Sequence, residues 1–489
     1  MTNPPAGIDW SAPQNPEAVR LVRAGIPALV EAVTSGAVSA GDVAAASLDV
    51  VRRLDRKLGA FSHVLVDEAL AEAAERDAAR SSGAAPGPLH AVPVAIKEEN
   101  DVRGAVTTFG GSANRTPAPA DGHVTARLRE AGAVVVGKTT MPEFGQIPFT
   151  ESRRYGCARN PWGTDRTPGG SSGGTAIAVA TGMVPVGIGG DGGGSIRIPA
   201  ALNGLFGLKP TRGRVSTAPH PFLWGGLGVV GPLSRSVLDS AIVFDVIRGN
   251  VPGDRFVAPP TTDFVDAARA GAAGDVAPLR IGWSTASPTP GVKPCAEHVA
   301  AVRETAALLT DLGHHVVEVD PRYPDATAAF VPQMLGGVRF EADLVEDRSA
   351  LEPRTRRLAA AGFWATPKVV DAAIRRGERL ADRVDARVFD GCDVLLTPVV
   401  PHRPRRVGAF ERAGLVTSML RSLPAIAYTA LWNVTGHPAA SVPAGFAADG
   451  LPTAVQLVGR RGAEVDLLRL AAQLEVARPW ADRWPPLAD

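Results

Sequence analysis

Short apolar runs alternate with amphipathic helical stretches along most of this chain, and that alternation limits the fold more than any other feature. The run at 91–96 ends at Lys97 and is typical of a buried strand, and a helical stretch at 123–131 leads into a second run at 133–136. Strands that alternate with helices predict an α/β sandwich with a largely parallel or mixed sheet. A further strand-like run lies at 184–188, where Pro185 restricts it to a strand start or an edge, and others follow at 279–283, 316–319, 393–398 and 452–458.

The helical stretches begin at recognisable residues, and no linker separates them from the strands. Ser39 followed by Asp42 is typical of a helix N-cap with an acidic first turn, and a second amphipathic helix is predicted at 67–80. The chain shows no internal repeat. We therefore predict a single domain over 1–489, with a less regular helical region at about 290–392.

The charge balance and the composition exclude several kinds of partner. The 489 residues are 45% hydrophobic, which is enough apolar surface for a large packed core. Lys and Arg number 51 against 50 Asp and Glu, so the net charge of +1 predicts neither a nucleic-acid partner nor attraction to an anionic membrane. Two uncharged stretches, 169–190 and 423–448, are interrupted by glycine and proline and predict buried core with loops rather than membrane spans.

The cysteines, the histidines and the first residues argue against a disulfide framework, a metal site and export. Cys157, Cys295 and Cys392 lie far apart and form no CxxC pair, and no HxxxH or HExxH spacing occurs. No metal is therefore predicted. The chain begins without a basic segment followed by an apolar run, so we expect no signal peptide and a cytoplasmic location.

Lys97 is the first candidate for a catalytic residue. It ends an apolar strand and is one of only six lysines in a chain that otherwise uses arginine. Burial disfavours an ammonium group, so a buried lysine at this position could serve as a general base. The alternative, a lysine that reaches water or pairs with an acid, stays open for this residue taken alone.

A glycine- and serine-rich segment, GGSSGG, occupies 169–174 and leads into an apolar helix. The glycines around Ser171 and Ser172 permit close approach of the backbone and unusual conformations. The segment has neither GK[ST] nor GxGxxG, so a nucleotide site has weak support here. Taken alone, it is also typical of a flexible turn.

A second glycine-rich segment, at 190–199, places three glycines directly before Ser195. Unhindered N–H groups in such a run suit an oxyanion hole, with the serine placed to attack a carbonyl. Because position 197 is Arg, the segment is not the GxSxG turn of α/β-hydrolases. We interpret Asp191 and Arg197 as an ion pair that shapes the loop.

Together the three segments resemble the amidase signature family, whose hallmark is a glycine- and serine-rich stretch with a Ser–cis-Ser–Lys triad. Ser195 in GGGSIRIPA matches the nucleophile of that family, Ser171 in GGSSGG matches the cis-serine, and Lys97 in PVAIKE matches the base. The resemblance runs from about residue 15 to the C-terminus. Other matching pieces lie at 137–139, 159–162, 207–213, 433–439 and 450–452.

The resemblance implies an α/β/α sandwich with a large mixed central sheet covered by helices on both sides, and a signature core at about 60–250. It implies an amidohydrolase that cleaves a carboxamide C–N bond through a serine acyl-enzyme and releases a carboxylate with an amine or ammonia. A neutral Lys97 would take the proton of Ser195 through Ser171, without cofactor or metal. The oxyanion would be held by the N–H groups of Gly192, Gly193, Gly194 and Ser195.

Two branches of the family remain open. The amidotransferase type resembles SIRQP after its nucleophile, whereas this chain has Ile198 at the fourth position of that motif. This difference favours a stand-alone amidase over the glutaminase subunit of a tRNA-dependent amidotransferase. The expected partner is a small-molecule amide, and a homodimer stays open.

The substrate pocket is predicted from the resemblance and from the apolar character of nearby residues. Few polar groups among these residues favour a mostly hydrophobic pocket, which aryl, alkyl, oligoamide or peptide-like amides could all occupy. Ordinary packing in the core remains an alternative for each of them. The candidate lining residues are Gln146, Ile147, Phe149, Trp432 and Asn433.

Overall fold

The computed structural model describes residues 15–411 and 413–487, so the predicted domain over 1–489 also includes residues outside this set. Thirteen strands occur in the described part of the chain. They are β1 (Phe61–Val64), β2 (Pro93–Lys97), β3 (Val134–Thr139), β4 (Glu151–Ser152), β5 (Gly156–Cys157), β6 (Val186–Asp191), β7 (Phe206–Lys209), β8 (Val229–Ser234), β9 (Arg280–Trp283), β10 (His315–Glu318), β11 (Val394–Pro398), β12 (Ala439–Phe446) and β13 (Pro452–Gly459).

Sixteen α-helices accompany these strands within the same residues. They are α1 (Pro16–Ala24), α2 (Ile26–Ser35), α3 (Ala40–Leu58), α4 (Val66–Ser81), α5 (His123–Glu130), α6 (Gly173–Ala180), α7 (Arg197–Asn203), α8 (Val237–Ile247), α9 (Phe264–Ala272), α10 (Ala296–Asp311), α11 (Thr327–Leu344), α12 (Pro353–Ala361), α13 (Pro367–Arg387), α14 (Leu415–Ala425), α15 (Ala430–Thr435) and α16 (Glu464–Ala477).

Eleven of the strands form one mixed sheet in the order β1-β3-β2-β6-β8-β7-β12-β13-β11-β9-β10. Parallel neighbours lie towards both ends of the sheet, β3, β2 and β6 near one end and β11, β9 and β10 at the other. The strands between them are antiparallel. The prediction of an α/β fold with a large mixed sheet is confirmed.

Local signals explain where several elements begin and end. The Ser39 hydroxyl accepts a hydrogen bond from the Asp42 N–H at 2.9 Å, as an N-cap does, and Gly59 caps the C-terminus of α3 with a φ of 69°, which suits a residue without a side chain. β6 begins directly after Pro185, which has no N–H to offer a sheet.

The parallel pairing of β2 with β6 places the candidate site. Ile96 of β2 lies beside Ile188 of β6, and all residues of both strands are buried. Because parallel neighbours end at the same edge of a sheet, Lys97 and the glycine-rich loop after Asp191 come out side by side. The site therefore lies at the carboxyl edge of two central strands.

Four strands of the sheet, β1, β7, β8 and β12, have no counterpart in the sequence prediction. They are short or buried on both faces, and such strands lack the alternation of apolar and polar residues that marks a strand with one exposed face. The uncharged stretch at 423–448 contains α15 and β12, and no helix in the described residues is long and apolar enough to cross a membrane.

Candidate active site

Lys97 is held in a closed polar environment at the end of β2. Its side chain is 1% exposed, and its Nζ donates hydrogen bonds to Ser171 Oγ at 2.9 Å and to the Gly190 carbonyl at 3.2 Å. The carboxylate of Glu99 lies 3.0 Å from the same nitrogen. The amine is therefore fixed between a hydroxyl, a carbonyl and a carboxylate.

Ser171 reaches Lys97 because the GGSSGG segment packs directly on the neighbouring backbone. The Gly170–Ser171 peptide is cis, as the resemblance implies. An added Cβ at Gly170 would lie 2.7 Å from the Phe149 nitrogen, and one at Gly173 would overlap the Thr150 hydroxyl. Glycine is therefore required on both sides of the serines for this approach.

Ser195 lies at the end of the second glycine-rich loop, just before α7. It is 9% exposed, and its hydroxyl makes no hydrogen bond to any residue of the described chain. The Ser172 N–H donates to the Ser195 carbonyl at 3.3 Å, which joins the two glycine-rich loops. The hydroxyl is thus near the Ser171 segment and free to bind another molecule.

The N–H groups before Ser195 differ in their availability. The Gly194 N–H donates to Asp191 Oδ1 at 2.7 Å, whereas those of Gly192, Gly193 and Ser195 make no hydrogen bond to a described residue. The expectation of four free donors therefore needs a correction at Gly194, because the Asp191 carboxylate already occupies its N–H. Three donors remain for an anionic oxygen.

Asp191 and Arg197 form a fully buried ion pair beneath this loop, which confirms the interpretation from the sequence. Arg197 Nε and Nη2 each lie 2.9 Å from a different carboxylate oxygen of Asp191. Burial opposes the charge of Asp191, but the guanidinium and the Asn433 amide hold the pKa of the carboxyl well below its usual range. The pair therefore stays ionised at neutral pH.

The candidate lining residues before the GGSSGG segment lie close to it, but their side chains pack inwards. Ile147 and Phe149 belong to an apolar cluster with Phe410, and the Phe149 and Phe410 rings stack at 4.4 Å. Gln146 is buried, and its Nε2 donates to Thr355 Oγ1 at 2.5 Å. The structure thus gives these side chains packing contacts.

Trp432 and Asn433, the two candidate lining residues from the C-terminal part of the chain, are both buried. Trp432 is fully buried, donates from Nε1 to the Tyr428 carbonyl and packs in an apolar cluster. The Asn433 amide is 1% exposed and bridges Asp191 and Arg197 at 2.8 Å and 2.7 Å. Asn433 therefore supports the loop around Asp191, and Trp432 packs in the core; their place in the substrate pocket stays a prediction.

Several residues around the site were not predicted from the sequence. The Trp224 ring packs against Gly192, where an added Cβ would lie 2.9 Å from it, and the Phe330 ring is the nearest group to a Cβ added at Gly193. Glu341 of α11 accepts a hydrogen bond from the Trp224 N–H at 3.3 Å. Glu99 had a sequence signal in its place two residues after Lys97, in the turn that follows β2, where the Asn100 N–H donates to the Lys97 carbonyl at 3.0 Å.

The cysteines and the acidic residues show no metal arrangement within the described part of the chain. No group of three His, Cys, Asp or Glu side chains there is placed to hold a metal ion together. All three cysteines are free thiols, and burial raises the pKa of Cys157 to about 11. Cys157 is therefore a neutral thiol and a poor nucleophile at physiological pH.

A comparison with protein families identifies the fold with a known group of enzymes. The family model described as Amidase matches residues 42–468. The chain belongs to the amidase signature family. A Mycobacterium tuberculosis protein named "Putative amidase AmiB2" is 45% identical over 470 residues, which cover 96% of this chain and 99% of that protein. A glutamyl-tRNA(Gln) amidotransferase component from Mycobacteroides abscessus is 37% identical, and the match covers 94% of this chain and 98% of that protein.

Solved structures of amidase signature enzymes agree with this assignment. A structure of 6-aminohexanoate cyclic dimer hydrolase has a TM-score of 0.88 and 31% identity, covering 96% of this chain and 99% of that one. A bacterial aryl acylamidase of the amidase signature family has a TM-score of 0.81 and 28% identity, covering 94% and 96%. This amidase is accordingly an enzyme that acts on carbon–nitrogen bonds.

Replacing Asn433 tests whether it supports the loop. We expect Asn433→Ala to lower the free energy of unfolding by about 1–3 kcal/mol, because two buried charges lose a hydrogen-bond partner, as measured by urea denaturation without substrate. Asn250→Ala is the control, since that amide also donates two hydrogen bonds but is exposed, and its cost should stay near about 0.5 kcal/mol. A raised KM with unchanged stability would instead indicate contact with substrate.

Proposed function

We propose that this protein is a stand-alone amidase that hydrolyses a small-molecule carboxamide through an acyl-enzyme on Ser195. The observation that carries the proposal is the buried hydrogen bond of 2.9 Å from Lys97 Nζ to Ser171 Oγ, beside a Ser195 hydroxyl that makes no hydrogen bond to a described residue. A base, a relay hydroxyl and a free nucleophile at one sheet edge suit acyl transfer.

In the first half of the reaction, Ser195 Oγ attacks the amide carbonyl and a C–O bond forms. The Ser195 proton passes to Ser171 Oγ, while Ser171 gives its own proton to Lys97 Nζ. The carbonyl oxygen becomes an oxyanion that accepts hydrogen bonds from the free N–H groups of Gly192, Gly193 and Ser195. Each such donor is worth about 3 kcal/mol in the barrier.

In the second half, the proton returns along the same path to the leaving nitrogen, and the C–N bond breaks. An amine or ammonia leaves, and the acyl group stays as an ester on Ser195. Water then attacks this ester with the same base and the same oxyanion donors, and the carboxylate is released. Apart from the substrate and water, this route uses only side chains and backbone groups of the chain.

We further propose that the amide carries an apolar group next to the scissile bond. The Trp224 ring lies against Gly192, the Phe330 ring faces Gly193, and both rings are therefore beside the proposed oxyanion donors. Aromatic walls with few polar groups favour aryl or alkyl substituents. The names of the two solved relatives, a cyclic oligoamide hydrolase and an aryl acylamidase, agree with such substrates.

The stand-alone type is preferred to the glutaminase of an amidotransferase for two reasons. The relative named as an amidase is more similar than the amidotransferase component, at 45% against 37% identity. The Ile198 side chain is also buried among apolar neighbours that include Leu202 and Val400, where a glutamine amide would lack partners.

A panel of amides tests the branch and the substrate class together. The purified chain alone should hydrolyse aryl and alkyl amides faster than glutamine, because the aromatic groups beside the loop favour apolar substituents, with products measured by mass spectrometry. The matched comparison is glutamine against an alkyl amide of similar size. Glutamine hydrolysis that appears only with partner subunits would contradict the stand-alone assignment.

Ser195 should be the residue that a fluorophosphonate labels, since its hydroxyl is free and adjacent to unoccupied N–H donors. Peptide mapping should place the added mass on the peptide that contains Ser195, and Ser195→Ala should lose both label and activity. Ser172→Ala is the control and should keep the label. Label on Ser171 or Ser172 in the Ser195→Ala variant would overturn the assignment.

Lys97→Arg should lower kcat/KM by about 10²–10⁴-fold, as much as Lys97→Ala does, because a guanidinium keeps its proton near neutral pH. Steady-state kinetics measure the loss, and thermal unfolding shows whether the fold persists. Lys293→Arg, at a site far along the chain from the motif, is the control and should leave kcat/KM near its original value. Native turnover in Lys97→Arg would show that another group accepts the proton.

A further inference from the structure

The carboxylate of Glu99 lies beside the Lys97 amine, in space that Gly190 leaves open. Both side chains are buried, at 5% and 1% exposed, and Glu99 Oε1 lies 3.0 Å from Lys97 Nζ as an ion pair. The same oxygen accepts no hydrogen bond from a described residue, so it is open to a proton. An added Cβ at Gly190 would overlap that oxygen and would lie 3.5 Å from Nζ. The missing side chain at position 190 is therefore what makes room for the carboxylate beside the amine.

The other groups that face Lys97 are neutral or belong to other pairs. From the glycine-rich segments come the Ser171 hydroxyl and the Gly190 carbonyl. From α11 comes Glu341, whose Oε2 has no partner within the described residues, and burial together with the charge of Glu99 raises the pKa of Glu341 to about 8. Glu341 is thus mostly protonated at pH 7, which leaves Glu99 as the carboxylate that can exchange charge with Lys97.

The adjacent acid, Glu98, is engaged elsewhere. It accepts hydrogen bonds from the Thr108 N–H and hydroxyl at 2.9 Å and 2.7 Å, and it lies 3.8 Å from Lys138. Lys138 of β3 is in register with Ile96, so Lys138 and Lys97 project from opposite faces of the sheet. This second buried pair therefore does not share the proton of Lys97.

We propose that Glu99 is a positioning residue that accepts the proton Lys97 must lose before it can act as a base. The inference rests on the proposed function of Lys97. A single proton on the pair can lie on nitrogen, giving an ion pair, or on oxygen, giving a neutral amine beside a carboxylic acid. Burial favours the neutral form more than water does, because separated charges are poorly solvated in a buried site.

The proton balance of the attack follows from this form. A proton moves from Lys97 Nζ to Glu99 and leaves a neutral amine. The Ser195 O–H bond then breaks as the C–O bond to the substrate forms, Ser171 relays the proton, and Lys97 becomes an ammonium again. The attack thus ends with one positive charge on Lys97, a neutral Glu99 and one negative charge on the substrate oxygen. Breakage of the C–N bond returns one proton to the leaving nitrogen.

The test is the pH dependence of kcat/KM in Glu99→Gln. With Glu99 present, the pair can hold one proton on the carboxyl and still offer a neutral amine; without Glu99, Lys97 must release its proton to solvent. We therefore expect the acidic limb to move to higher pH by about one unit or more. Glu99→Asp should keep the limb near its original pH, since the carboxylate remains.

Glu98→Gln is the matched control, because it removes an adjacent buried carboxylate that does not contact Lys97, and its limb should not move. The same profile is measured in Glu341→Gln and in the double variant Glu341→Gln/Glu99→Gln, neither of which has a carboxyl group at position 341. The acidic limb of the double variant should still lie at higher pH than that of Glu341→Gln. Thermal unfolding of each variant reports folding.

Two results would overturn the inference. A limb that stays in place in a folded Glu99→Gln would leave Glu99 a purely structural role. A limb that moves to lower pH would mean that Glu99 only stabilises the ammonium. Either result, combined with an inactive Lys97→Arg, would leave the proposed acyl-enzyme mechanism intact, whereas an active Lys97→Arg would refute that mechanism itself.

Discussion

The buried ion pair between Asp191 and Arg197 fixes the loop on which the rest of the site depends. The Asp191 carboxylate accepts hydrogen bonds from the Gly194 N–H and the Ile196 N–H, so it determines the path of the backbone around Ser195. Arg197 also donates to the Gln456 side chain of β13 at 2.9 Å. An unpaired buried charge would be costly, so Asp191 and Arg197 must stay together. Their contacts thereby fix the loop and α7 against β13.

Much of the fold could be predicted because its signals are local. Ser39 marks the start of α3 by a hydrogen bond within its own turn, and the apolar run before Lys97 marks β2. The partners of Arg197 could not be found in this way. Gln456 lies 259 residues away along the chain, and only the order of strands in the sheet brings it to the guanidinium.

The residues of the candidate site also fall into those with a local sequence signal and those placed by tertiary packing. Lys97, Ser171 and Ser195 stand in recognisable motifs, and the structure places the first two in contact and the third on the adjoining loop. The groups around them come from elements whose position depends on tertiary packing. Trp224, for example, lies over the loop through a turn with a φ of 53°, a backbone conformation that no sequence pattern for tryptophan indicates.

The two buried pairs at this sheet edge have similar geometry but different proton chemistry. Asp191 faces a guanidinium, which cannot release a proton near neutral pH, so that pair is permanently charged and serves as a fixed support. Glu99 faces an amine, which can transfer a proton to the carboxylate at 3.0 Å, so that pair can become neutral. Only six of the 51 basic residues of this chain are lysines, and one of them is at position 97. The choice of lysine there, and of arginine at position 197, therefore makes the first pair able to exchange a proton and the second a structural ion pair.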